Sequence, residues 1–367
     1  MIFDPMGLRL RRTAKRVWGG EMQVLVGDIG GTKTGLAVAQ TIGNKVQIDH
    51  DRRYPSRDYA TLDALLRRYC DDTGAACDVA ALAVAGPVKD GRSRITNLSW
   101  DLDALAIQRG LGLRAVRLLN DLEAVAWGVP ALGTDELAVL HPGDPQGIGN
   151  ACVVAAGTGL GEAGMYWDGE RHHPFATEGG HTDFAPTDDI EFALLQFLQR
   201  AHGRVSWERV ASGMGIVNLH AFLLEWRRAQ PPAWLREEMA AGDPSAAVAR
   251  AGAEARCPIC VEAMDLFARL YGREAGNMAL KHLALGGVYL GGGVAPKNLD
   301  LLRDRGFVAA FLDKGRMRPV MEQIPVRVIL EQRTPLFGAA RFMAGTLGPF
   351  GEGWPVSQER RERPLGG

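Results

Sequence analysis

At 367 residues the chain has the length of two α/β domains of roughly 150 to 200 residues each. Hydrophobic residues at 46% and charged residues at 23% exclude a mainly disordered chain. Lys plus Arg number 42 against 43 Asp plus Glu, so no global field draws in nucleic acid or an acidic membrane surface.

The basic segment 1–21 lacks an apolar h-region and reads as a disordered extension rather than a secretory signal. The first strand is expected at Val24–Asp28, running into a glycine turn. Strands at Gly35–Thr41 and around Lys45–Tyr54 follow within a few residues, which predicts an antiparallel meander. A helix is predicted over Tyr59–Asp71, with Leu62, Leu65, Leu66 and Tyr69 at helical spacing. Then come a buried strand at Val79–Ala85, a helix near Leu102–Arg109, and a strand at Ala115–Leu119 that delivers Asn120-Asp121 at its carboxyl end.

At Ala151 the pattern restarts. ACVVAAGTGLGEAGMYW is again strand, glycine turn and strand, about a third of the chain after the first unit, which predicts a duplicated domain plan. Helices are predicted near Ile190–Ala201, over Gly213–Trp226 and near Ile259–Leu285, the last with Val261, Met264, Ala268, Tyr271, Ala275 and Met278 on one apolar face. The stretch Ala229–Ser245, with Pro231 and Pro232, reads as a helical insertion or surface connection. Val288–Leu290 opens a third glycine turn, and segment 348–367 reads as a flexible tail. No apolar run approaches the ~20 residues of a membrane span. The five cysteines are sparse, and Cys257-Pro-Ile-Cys260 lacks the second pair that a zinc site needs. These features point to a cytoplasmic protein.

Chemistry concentrates in the turns. Around Asp28, Gly30, Gly31, Thr32 and Lys33 the missing Cβ atoms, a hydroxyl and a cation make an anion cradle. It joins two strands, so it is not a P-loop. Gly157, Thr158 and Gly159 repeat the composition. Gly159, Gly161 and Gly164 also match G-x-G-x-x-G, but no helix follows to hold a pyrophosphate. The Asp121 carboxylate suits either proton acceptance from a substrate hydroxyl or helix capping. Glu178 and His181, on a glycine-kinked loop, suit a polyol, whereas His172-His173 reads as a solvated loop. Glu208 has Val205 three residues before it, so it closes no capping box.

Taken in order, DIGGTKTG, Asn120-Asp121, AAGTGLG, EGGHTDF, ERVASGMGIVNL and YLGGGVAPKN resemble the bacterial ATP-dependent glucokinase family, in the hexokinase branch of the actin-like ATPase superfamily. The resemblance runs from about Gln23 to Leu347. It implies an α/β fold of two ribonuclease H-like domains. Each would have a mixed five-stranded sheet flanked by helices, with the active-site cleft between the two domains. The small domain would span 22–131 plus a returning helix at 336–347, and the large domain 132–335. It implies further that Asp28 helps hold Mg²⁺, and that Gly30, Gly31, Thr32, Lys33, Gly157, Thr158 and Gly159 clasp the phosphates of ATP. Gly291, Gly292 and Gly293 would flank the adenosine. Asn120, Asp121, Glu178, His181 and Glu208 would bind glucose, with Asn97 a further contact. Asp121 would be the base in forming glucose 6-phosphate, the first step of glycolysis.

The long helices of the second half offer a homodimer seam. Glu162 departs from the pattern by placing an acid near the phosphates, and is expected to point away on the following strand. Two rival readings share the fold. One is a kinase of another hexose or amino sugar, although the cysteine cluster of the repressor–kinase branch is missing. The other is a sugar-responsive regulator, for which the 22 residues before Gln23 are too few to form a helix-turn-helix.

Overall fold

The structure, a computed structural model, describes residues 23–42, 45–95 and 98–347. The expected extension, the expected tail and Asn97 lie outside the described residues. The chain divides into two units, of which the described parts are 23–131 with 333–347, and 132–332.

Side-chain alternation builds the first unit. Strands β1 (Gln23–Ile29), β2 (Lys33–Ile42) and β3 (Lys45–Pro55) form the expected antiparallel meander. Helix α1 (Leu62–Thr73) follows, started by Thr61, whose Oγ1 accepts the Ala64 N–H, and ended by Gly74 at φ 65°. Next are β4 (Val79–Val84), a separate hairpin of β5 (Arg92–Ile95) and β6 (Trp100–Asp103), α2 (Ala104–Leu111), β7 (Ala115–Asn120) and α3 (Asp121–Gly128). The sheet order is β3-β2-β1-β4-β7, with β1, β4 and β7 parallel. Every residue of β4 is buried because both faces of the sheet are covered. Leu25, Ile29, Leu82 and Val84 meet Leu62, Leu65 and Tyr69 of α1 on one face. On the other, Val24, Val26, Ala81 and Ala83 make a shallow floor for the C-terminal helix Thr334–Leu347. That helix and α3 touch backbone to backbone: a Cβ on Gly338 would overlap Ala124 O, and one on Gly128 would overlap Thr334 O. The β5–β6 hairpin was not foreseen, because four residues are too few to show a period.

The second unit repeats this plan with one addition. Its strands are β8 (Leu137–His141), β9 (Ala151–Ala156), β10 (Leu160–Trp167), β11 (His172–Thr177), β12 (Gly287–Gly291) and β13 (Val326–Ile329). The order β11-β10-β9-β12-β13-β8 gives six strands, where five were expected. The extra strand is β8, which pairs antiparallel with β13 through a bulge between Val326 and Arg327. Without β8 the two sheets have the same order and directions, an antiparallel meander followed by two parallel strands. His172 and His173 correct a second expectation: they lie in β11, paired with Trp167 and Tyr166, not in a solvated loop. The longer helices are α4 (Asp189–His202), α5 (Gly213–Trp226), α6 (Ala233–Ala241), α7 (Pro244–Ala253) and the 25-residue α8 (Pro258–His282). Helix α8 runs through the core, where Tyr271 donates its hydroxyl proton to Val154 O at 2.9 Å. Cys257 and Cys260 are buried thiols in that core.

The contact between α3 and the C-terminal helix is testable with one substitution at two sites of the same helix. Gly338→Ala is expected to destabilise by about 1–3 kcal/mol through overpacking. Gly345→Ala, where the added Cβ meets only ordinary contacts at 3.9 Å, should be neutral or stabilising because alanine favours helix. Urea midpoints that move equally for both variants would contradict this packing.

Candidate active site

In the first unit three parallel strands end at one edge of the sheet. Register sets Asp28 beside Ala83 and Leu119, and Ile29 beside Val84 and Asn120. Asp28 and the Asn120-Asp121 pair therefore stand two strand spacings apart, about 10 Å. Asn120 is the cap of α3: its Oδ1 accepts the N–H groups of Leu122 at 2.9 Å and Glu123 at 3.2 Å. Its Nδ2 donates to Gly86 O at 3.2 Å. Capping thus falls to Asn120, and Asp121 is the first helical residue, half-buried, with Oδ1 accepting the Leu122 N–H at 2.9 Å. Helix starts of this kind favour negative charge.

The first glycine turn is closed by Gly30, whose N–H donates to Lys33 O at 3.1 Å. Ser56 braces it, donating its hydroxyl proton to Gly30 O at 2.7 Å and its N–H to Thr32 O at 3.0 Å. Gly31 is half-buried, and Thr32 and Lys33 are exposed at the rim. Ser56 carried no sequence signal; only the folded contacts reveal its part.

In the second unit the glycine turn and the acids meet directly. Gly157 N–H donates to Gly159 O at 2.9 Å, closing a tighter turn than the one at Gly30. The first amides of α5 hold it from outside: Gly213 N–H donates to Gly157 O at 2.8 Å and Met214 N–H to Thr158 O at 3.2 Å. Glu208, in the turn Trp207–Arg209, reaches back so that its Oε2 accepts the Leu160 N–H at 3.1 Å. A Cβ on Gly159 would overlap that carboxylate. Around it, His181 Nδ1 stands 3.9 Å from Glu208 Oε1, and His181 Nε2 stands 4.0 Å from Glu178 Oε2. These gaps are too long for direct hydrogen bonds and leave acceptors and donors for hydroxyl groups. Glu178 is 64% exposed and His181 59%, whereas Glu208 at 19% is recessed. The third glycine turn adjoins the second, since Gly291 pairs with Ala155 and a Cβ on Gly292, at φ 75°, would overlap Ala156 O.

A family model described as glucokinase matches residues 25–346. A glucokinase of Nostoc punctiforme is 39% identical over 332 residues, 86% of this chain and 97% of that one. The chain belongs to the glucokinase family. Among solved structures it is similar to a glucokinase from an Antarctic psychrotroph, with 29% identity, a TM-score of 0.78, and 88% of this chain and 99% of that one covered. A ROK family glucokinase from Streptomyces griseus, in complex with glucose and AMPPNP, shares the fold at 22% identity and TM-score 0.59, over 87% of this chain and 98% of that one.

Asp28 stands near the end of β1, at the mouth of the first glycine turn. Burial pushes its carboxyl up to about 6, and the Arg53 charge pulls the other way. A single desolvated carboxylate suits Mg²⁺, which takes one or two protein carboxylates and leans on substrate phosphates. Among the described residues there is no cluster of three or more His, Cys, Asp or Glu that would cage a metal without such phosphates. None of their helices is long and apolar enough to cross a membrane.

The contact of Glu208 with the Leu160 amide is testable through stability. Glu208→Ala leaves the Leu160 N–H without its acceptor and should cost about 1–3 kcal/mol. Glu208→Gln keeps an acceptor oxygen and should retain most of that stability. Equal urea midpoints for the two variants would refute the contact.

Proposed function

We propose that the protein transfers the γ-phosphoryl group of ATP to the 6-hydroxyl of glucose, giving glucose 6-phosphate and ADP in the cytoplasm. The observation that carries this reading is the contact of Glu208 with Gly159 and Leu160, which sets a polyol-binding acid directly on a phosphate-type turn. In this reading each unit is a ribonuclease H-like domain. The first contributes Asp28, the turn 30–33 and the Asn120-Asp121 pair; the second contributes the turn 157–159, the sugar acids and Gly291–Gly293.

Glucose hydroxyls would take the places left open around Glu178, His181 and Glu208. Asp121 accepts the proton of the 6-hydroxyl as that oxygen bonds to the γ-phosphorus and the bond to the β,γ-bridging oxygen breaks, with the electron pair leaving on ADP. Such a base contributes ~10² to 10⁴-fold; positioning and charge neutralisation supply most of the remainder. Asp28 would hold Mg²⁺, which when bound neutralises charge on the phosphates. The exposed Lys33 and Thr32 serve the same phosphates. Sugar choice follows from pairing. A missing or inverted hydroxyl leaves a carboxylate or imidazole unpaired, at roughly 1–3 kcal/mol per group. The reading includes a homodimer, supported by the exposed Phe192 and Trp226 on the long helices α4 and α5.

A coupled assay of sugar 6-phosphate formation over a panel of hexoses and donors tests the activity, and preference for another sugar over glucose would redirect it. Asp121→Asn should lower turnover ~10² to 10⁴-fold and leave glucose binding within about tenfold, as measured by isothermal titration. Near-normal turnover in the folded variant would remove Asp121 from its role. Glu178→Gln should weaken glucose more than ATP, and equal losses would move Glu178 out of the sugar site.

A further inference from the structure

Glu162 has no part in the chemistry above, yet it is the most tightly enclosed acid near it. It lies on β10 and is 0% exposed. Among the described residues no N–H or hydroxyl donates to either of its carboxyl oxygens. It points inward from the strand, and its Oε2 fills the space beneath Gly179: a Cβ there would overlap the carboxyl oxygen and crowd Glu162 Cδ at 2.9 Å. Gly180 is pinned in the same way over Leu160 O. The strand above is stitched to Glu162 as well. Thr177, its partner in register, donates its hydroxyl proton to Glu162 O at 3.0 Å and accepts the Gly179 N–H at 3.3 Å. The turn that carries Glu178 and His181 therefore rests on the Glu162 side chain from below and on its backbone from the side.

A buried carboxyl without a donor is costly if ionised. The side chain that meets it is a second buried acid, Glu274 on α8. Glu274 already has its own supports: Asn277 donates to its Oε2 at 2.8 Å, and Lys281 Nζ lies 3.7 Å from its Oε1. Lys314, which donates to Asn277 Oδ1 at 2.7 Å and to Arg273 O at 3.1 Å, adds positive charge on the Glu274 side. Two further neighbours are Cys152 on β9 and Tyr271 on α8, both fully buried, with burial pushing the thiol and the phenol up and so keeping them neutral. Two acids buried side by side, one of them already served by cations, need a single proton on the other.

We propose that Glu162 is a positioning residue for the sugar-binding turn: through a hydrogen bond donated to Glu274 its carboxyl is held beneath Gly179 and sets where Glu178 and His181 stand. The inference rests on the reading of Glu178 and His181 as sugar ligands. Burial, and then the Glu274 charge, push the Glu162 carboxyl up to about 8, against the pull of Lys281. An acid raised in the fold above its ordinary 4.5 contributes stability that is complete below that ordinary value and is lost as pH rises through about 8. Above it the pair carries two negative charges, and the support under Gly179 gives way.

The test is glucose KM against ATP KM and kcat over about one pH unit on either side of 8. The wild type should lose glucose affinity about three- to tenfold across that window, with ATP KM unchanged. Glu162→Gln donates to Glu274 at every pH, so its glucose KM should stay flat near the low-pH wild-type value, with kcat within about twofold. If Glu162→Gln does not fold, Glu274→Gln removes the charge repulsion from the other side and should flatten the same profile. Infrared spectra of the wild type need no variant, and should show a protonated-carboxyl band that fades as pH passes 8. A Glu162→Gln profile that rises like the wild type, an ATP KM that rises in step with that of glucose, or the absence of such a band overturns the proposal. A wild type that binds glucose with this pH dependence but transfers no phosphoryl group supports the positioning role and defeats the kinase reading.

Discussion

One amide side chain, Asn120, ties the carboxyl edge of the first unit's sheet together. It ends a strand, caps the next helix with its oxygen and holds the Gly86 carbonyl with its nitrogen. A strand end, a turn and a helix start thus share a single group. Asp121 follows by one peptide bond, so its carboxylate has little freedom beyond its own χ angles. Behind it, α3 is locked to the C-terminal helix through Gly128 and Gly338, where only hydrogen fits. The C-terminal helix therefore backs α3 through backbone contact, and Arg341 Nε adds a polar link by donating to Trp127 O at 3.1 Å.

The second unit solves a related problem with different parts. Its glycine turn is also closed by an amide bonded to a later carbonyl of the turn, two residues on rather than three. The bracing differs. Ser56 holds the first turn from a neighbouring loop, whereas the opening amides of α5 hold the second. Using those amides on protein carbonyls means that the helix start is spent on shape, not left open to an anion. The recessed Glu208 is tied to the turn through the Leu160 amide, with the exposed His181 3.9 Å from it and the exposed Glu178 4.0 Å from His181. Preorganisation of this kind spares a binding site the entropy of ordering loose side chains.

Much of the fold was legible. Long periodic segments announce themselves, and the expected helix Gly213–Trp226 coincides with α5. Strand existence in the meander of the first unit, and its recurrence after Ala151, also followed from apolar runs and glycine turns. Three features were not readable. The strand β8 needs β13 as a partner nearly two hundred residues away. His172 and His173 join a strand only because Trp167 and Tyr166 turn back beside them. The β5–β6 hairpin is shorter than any period can reveal.

By itself the sequence determined which residues are capable of the chemistry, and where glycine spares the backbone a Cβ, since both are properties of residue types at fixed spacing. The division of labour was decided only by the tertiary structure. Asn120 rather than Asp121 caps the helix, Ser56 braces a turn, Glu208 reaches across 48 positions to the Leu160 amide, and Glu162 turns inward to meet Glu274. The last three of these are contacts between residues far apart in the chain. Local propensity acts over a few neighbouring residues and has no term for them; burial, and the partners that burial imposes, exist only once the sheets are covered.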